Sequence, residues 1–190
     1  MNSAKKQRSL PMLALVAGSL LSSPVVVNAD DDEGYFGRLW GRNSDDRVAA
    51  VTNPLYREEC GSCHMAYPPG LLPPQSWEKT MASLDDHFGE NAELPEKERV
   101  EILNYLLDNA AGRSDYRLGN KMIRKLRGTP LRITELPYFR HEHRELPRRV
   151  VQDNPKVRSF SQCDACHRDA EKGRFDEHSV NIPGFGRYDD

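Results

Sequence analysis

Cys60-Gly61-Ser62-Cys63-His64, with its near twin Cys163-Asp164-Ala165-Cys166-His167, decides how this chain is read. A C-x-x-C-H run is the attachment box of a c-type haem, and two boxes imply two covalently bound haems. The spacing has a physical reason. One helical turn puts both thiols on one face, where they bond to the haem vinyl groups, and the imidazole of the next residue lies under the iron. The same cysteines would also suit disulfides, a four-cysteine zinc site or a redox-active C-x-x-C pair. None of these needs a histidine directly after the second cysteine, twice. All four cysteines of the chain fall in the two boxes, so no thiol is left for separate structural pairing.

Outward from the boxes, the start of the chain reads as a targeting segment. Lys5, Lys6 and Arg8 precede an apolar run from Leu10 to Leu21, and Val27-Asn28-Ala29 offers the small residues a signal peptidase reads. Residues 1–29 are therefore expected to be a cleaved secretory signal. The rival, a retained membrane anchor, has a short apolar run interrupted by Pro24. Cleavage would remove three of the 27 basic residues and none of the 29 acidic ones, leaving 24 against 29. A mildly acidic chain of this kind gives no sign of a nucleic-acid partner. With 37% hydrophobic residues shared between two haem pockets, each pocket has little apolar material of its own. The porphyrins would form much of each core, so loss of haem should mean loss of fold. Export places the working chain in an oxidising compartment, the periplasm.

Four regions follow. Residues 30–46, rich in Asp, Gly and Arg around Tyr35, Phe36 and Trp40, read as a mobile leader. Residues 47–112 form a first haem unit. In it, Val48, Val51, Leu55 and Tyr56 recur at roughly helical spacing from Asp45 to Glu59, with Pro54 kinking or ending that helix. Pro68-Pro69-Gly70 through Pro73-Pro74 is a stiff loop. A helix capped by Ser76 carries the stripe Trp77, Met81, Leu84 and Phe88 and ends at Gly89. Another opens at Pro95, turns Val100, Leu103, Leu106 and Leu107 inward, and closes at Gly112. Residues 113–190 form a second unit. Arg113 to Arg132 reads as a basic linker with a short helix around Lys121 to Leu126, an amphipathic stretch covers 134–151, and Asn154-Pro155 stops it before the second box. After His167 only a short helix and a Gly/Pro-rich tail are expected. The boxes sit in dissimilar contexts, so the halves are not a duplicated repeat.

The residue opposite His64 or His167 decides what each iron can do. Histidine or methionine closes the iron for electron transfer, while an open position admits oxygen or peroxide. For the first iron the candidate is His87, three residues after Leu84 and beside the buried stripe. Met65 and Met81 are its rivals. Met65 adjoins the box histidine and cannot easily reach the opposite face, and Met81 belongs to the packing stripe. For the second iron, Leu136, Phe139, His143, Leu146 and Val150 recur at steps of three and four, which centres His143 on an apolar face. His178 is the alternative, in the polar setting of Asp176, Glu177 and Ser179. His141 is rotated off the face. Two imidazoles per iron would lower both potentials relative to a His/Met site, and burial would act the other way. Arg124, Lys125 and Arg127 form a candidate basic patch, though such a run is usually a solvated face.

The run from Glu59 to Pro73 with Trp77 and Asp86-His87-Phe88-Gly89, together with Arg132-Ile133-Thr134-Glu135, His143-Arg144-Glu145 and the second box, closely resembles the dihaem cytochrome c (DHC) family. The resemblance implies a mainly α fold, with an N-terminal domain similar to class I cytochromes c and a less regular C-terminal domain wrapped around the second haem. It implies low-potential bis-histidine irons, with His64 and His87 on the first and His143 and His167 on the second, and thioether bonds at Cys60, Cys63, Cys163 and Cys166. It also implies a small oxygen-binding monohaem cytochrome c as electron acceptor and a membrane b-type cytochrome as associate. The expected role is therefore a periplasmic electron carrier, not an enzyme. A small peroxidase or oxidoreductase subunit with one open haem, and a sensor whose distal histidine is displaced by ligand, are the alternatives. The first would bind carbon monoxide readily, the second slowly with a coupled structural change.

Overall fold

The computed structural model describes residues 46–187, so the expected signal segment, nearly all of the leader and its aromatic residues lie outside the described residues. Six α-helices, several 3-10 turns and one two-stranded antiparallel ribbon make up the described chain, which is mainly α as expected.

The first helix, α1 (Pro54–Cys60), starts where the periodicity suggested a kink or an end. Asn53 caps it, its side-chain oxygen accepting from the Tyr56 amide at 2.8 Å, and Pro54 occupies the first turn, where no amide proton is needed. Val48 and Val51 are buried from non-helical chain rather than from a helix face. After the first box, Pro68 and Pro69 hold a buried 3-10 turn, Pro69–Leu71. Helix α2 (Pro74–Met81) follows, with Pro73 rather than Ser76 at its cap. Ser76 is inside the helix and fully buried. The expected long helix breaks at Ala82. Leu84 stays buried because a 3-10 turn, Leu84–Asp86, keeps the three-residue phase, and Phe88 projects outward from a turn with φ 59°.

Helix α3 (Glu96–Asn109) is the longest, with Pro95 just outside it and Glu96 and Glu98 favouring its positive end. Its buried face is Ile102 and Leu106, whereas Val100 is exposed. The helix ends at Asn109, before Gly112. The basic stretch expected as a linker contains α4 (Arg117–Ile123), whose Leu118 and Met122 enter the main core. Gly119 lets this helix lie against the 69–71 turn, since a Cβ there would stand 3.0 Å from the Gly70 carbonyl oxygen. Helix α5 (Pro137–Glu142) begins at a proline and stops at His143. Helix α6 (Cys163–Cys166) is the second box itself. The tail forms β1 (Asn181–Ile182) and β2 (Gly186–Arg187) around Pro183-Gly184-Phe185.

Helix α2 packs on α3, and α4 packs on α5 and on the 69–71 turn. The main core runs from Val48 to Leu136, with Phe175 packed against it. A smaller one joins Val150, Val151, Val157 and Ile182. The start of the described chain is stitched to the late part: Val48 donates to the Gly173 carbonyl and the Phe175 amide to that of Asp46, each at 2.9 Å. Among the described residues no helix is long and apolar enough to cross a membrane.

Candidate haem sites

The first box ends α1, with Cys60 closing the helix and Gly61 capping it. His64 follows in a bend, and its Nδ1 lies 2.8 Å from the Met65 carbonyl oxygen. A carbonyl can only accept, so Nδ1 carries the proton and Nε2 keeps the lone pair that a metal would take. His87 comes from the other side, out of the turn after Leu84–Asp86 that is closed by a 2.7 Å bond from its amide to the Glu90 carbonyl. The two rings face each other with centres 6.3 Å apart and planes 26° apart. Two imidazoles bound to one metal at about 2 Å each, with about 1 Å from nitrogen to ring centre, would stand about 6 Å apart. Tyr67 stacks on His64 at 4.7 Å, and Phe88 meets His87 edge-on at 4.8 Å. The Arg132 guanidinium covers Phe88 at 3.8 Å. Burial, then the neighbouring His64, pushes the His87 pKa down.

The second site repeats this spacing with different walls. His143 caps α5 and its Nδ1 donates to the Phe139 carbonyl one turn back at 2.9 Å, which again leaves Nε2 unprotonated. His167 follows α6, and the two rings are 6.2 Å apart. Phe139 stacks on His143 at 4.0 Å, Phe160 meets it edge-on at 5.8 Å, and Phe175 lies 5.5 Å from His167. An apolar cleft opens beside the pair, with Leu118, Met122, Ile133 and Ile182 in its wall. Burial, reinforced by His143, pushes the His167 pKa down to about 4, so its imidazole is neutral at ordinary pH, the form that ligates. Its buried Nδ1 has no hydrogen-bond partner among the described residues.

The structure thus brings His87 to His64 and His143 to His167, and leaves the rivals elsewhere. His178 sits on an outer turn with its side chain 83% exposed, 4.0 Å from Glu177. His141 is exposed beside Arg144. Met81 is buried in the main core, and Met65 is buried with its carbonyl turned to His64. The four cysteines form no disulfide with one another. Burial first, and then a neighbouring carboxylate, pushes Cys60 up to about 11 and Cys163 up to about 12, so neither is a ready thiolate. No three His, Cys, Asp or Glu side chains converge as a zinc site would require, among the described residues. A porphyrin iron asks less of the chain: imidazole nitrogens, two nearby thiols and apolar walls, and the residues around each box could hold one.

Of the wall residues, Phe160 and Phe175 were not singled out from sequence, Phe88 was expected on the buried helix stripe rather than at the site, and Tyr67 was named only within the family-like run. The available signal was proximity: Tyr67 follows His64 by three residues, and Phe175 follows His167 by eight.

The family model for dihaem cytochrome c matches residues 56–175. Among solved structures, a dihaem cytochrome type c from Shewanella baltica OS155 is 50% identical with a TM-score of 0.61, over 72% of this chain and 98% of that one. A dihaem cytochrome c from Rhodobacter sphaeroides is 48% identical with a TM-score of 0.60, over 67% of this chain and all of the other. A further structure of the protein purified from Rhodobacter sphaeroides is 47% identical with a TM-score of 0.55, over 66% and 99%. No curated protein matches the chain. The chain belongs to the dihaem cytochrome c family, and its cofactors are two covalently bound c-type haems.

Proposed function

We propose that the chain is a periplasmic, low-potential electron carrier that takes single electrons from a membrane quinol-linked b-type cytochrome and passes them to a small soluble monohaem cytochrome c. The observation that carries this reading is the pairing of imidazoles, with ring centres 6.3 Å apart at one box and 6.2 Å apart at the other. When bound, each haem supplies a one-electron change at its iron. Cys60 and Cys63, and Cys163 and Cys166, would hold the two porphyrins through thioethers, and His64 with His87, and His143 with His167, would hold the irons. Imidazoles on both sides favour the ferric state and so a low potential, and they close the iron to oxygen and peroxide. Export rests on the basic-then-apolar start of the sequence, and the partners rest on the family resemblance.

Low-temperature electron paramagnetic resonance with a carbon monoxide titration tests the reading. Two low-spin ferric signals and slow or absent gas uptake are expected. A high-spin ferric signal with ready uptake would replace the carrier by an enzyme with an open haem. In His87→Ala the first haem alone should turn high-spin, and in His143→Ala the second alone. A wholly low-spin variant would refute that ligand.

A further inference from the structure

Tyr67 touches both halves of the chemistry. Its ring stacks on His64 with centres 4.7 Å apart and planes 20° apart. Its hydroxyl donates to the Ser161 carbonyl at 2.7 Å, across 94 residues of sequence. Ser161 lies two residues before Cys163, and its carbonyl oxygen also stands 3.9 Å from Cys163 Sγ. Behind Tyr67 the main core holds its backbone, since the buried Tyr56 donates its hydroxyl to the Tyr67 carbonyl at 2.8 Å. Pro68 and Pro69 stiffen the chain that follows. A side chain anchored this firmly transmits position rather than absorbing it.

We propose that Tyr67 is a positioning residue that fixes the two haem sites relative to each other, orienting the His64 imidazole with its ring and pinning the segment that leads into the second box with its hydroxyl. The inference rests on the two-haem, bis-histidine reading above. In the thioether form Cys163 has no S–H proton to give, so Tyr67 becomes the donor that holds the Ser161 carbonyl. An electron passing between the sites oxidises one by one equivalent and reduces the other by one. The Tyr67 proton stays in place. Because such passage depends steeply on spacing, the tie acts on the rate at which the sites share an electron.

Two variants separate the ring from the hydroxyl. Tyr67→Phe keeps the stack and removes the bond, and Tyr67→Leu removes both. Holoproteins would be compared by electron paramagnetic resonance and by the rate at which one electron equilibrates between the haems after flash photoreduction. The expected result for Tyr67→Phe is two low-spin haems, an unchanged signature for the first and equilibration slowed severalfold. Tyr67→Leu should in addition move the first haem's signature, because the imidazole plane is released. If Tyr67→Leu does not fold, Tyr67→Phe decides alone. Equilibration at the wild-type rate in Tyr67→Phe, with two low-spin haems present, would overturn the inference and leave the carrier reading intact. A wild-type protein without two low-spin haems would instead overturn the carrier reading itself, and the inference with it.

Discussion

Each histidine pair contains one ring held by a hydrogen bond and one that is not. His64 donates to Met65 and His143 to Phe139, while His167 Nδ1 and the ring of His87 have no such partner among the described residues. A bond at Nδ1 makes an imidazole a stronger donor to iron, and here that contribution is equal in number at the two sites. Their difference therefore falls to burial. Phe139, Phe160 and Phe175 wall the second site, whereas Phe88 beside His87 is 44% exposed and a polar pocket with Asp86 and Arg132 adjoins it. An apolar surround disfavours the extra ferric charge and raises the potential. The second haem is expected to have the higher midpoint potential. Spectroelectrochemical titration, with His87→Ala and His143→Ala used to assign the two waves, would show the reverse order if the argument is wrong. The walls also predict which ligand is held more firmly. An aromatic pair contributes about 0.5–1.5 kcal/mol beyond its buried area, so Phe139→Ala should raise cyanide affinity at the second ferric haem by about two- to tenfold. Unchanged affinity would show that the stack does not secure His143.

At the scale of elements, the sequence made the boxes and the approximate buried positions legible and misplaced several boundaries. Proline explains most of this, because it both stops and starts helices. Pro54 looked like an end, yet Asn53 just before it carries the capping oxygen that makes it a beginning. The stripe Trp77, Met81 and Leu84 kept its phase through a break at Ala82, since α-helix and 3-10 turn both return to one face after three residues. His87 was assigned to the first box from a helical spacing, yet it stands in a turn, not on the helix. Leu118 and Met122, spaced by four, were hidden by the basic composition around them. What no local pattern could reveal is the stitch between Val48 and Gly173. Gly173 has φ 71°, and a Cβ there would meet the Val48 carbonyl oxygen at 2.3 Å. Gly173→Ala should cost about 1–3 kcal/mol through strain and the lost approach. Thermal denaturation of the holoprotein should then fall by several degrees, and an unchanged midpoint would mean that the stitch contributes little.

Over the whole molecule the two sites draw on unequal cores. Among the described residues sixteen buried side chains join the main cluster, including Trp77, Ile102 and Leu106, but only four join the second: Val150, Val151, Val157 and Ile182. Residues 144–187 contain one four-residue helix, short 3-10 turns and a ribbon of two two-residue strands, so few backbone hydrogen bonds hold them in regular structure. Their order must come largely from what His143, Phe160, His167 and Phe175 enclose. A porphyrin there removes apolar surface from water on both of its faces and bonds the chain at three points, two thioethers and one imidazole, within five residues. The first site can lean on a core that exists beside it. Blocking attachment at the second box with Cys163→Ala/Cys166→Ala should therefore give a protein with one haem, a retained low-spin signal from the first site and rapid proteolysis confined to the region after about residue 144. The mirror variant, Cys60→Ala/Cys63→Ala, should not yield a stable fragment containing only the second half, because that half has too little apolar material to fold around its own haem. Haem stoichiometry, paramagnetic resonance and mass mapping of the proteolytic fragments would check both. A protease-resistant C-terminal half in the first variant would show that its fold is independent of the haem.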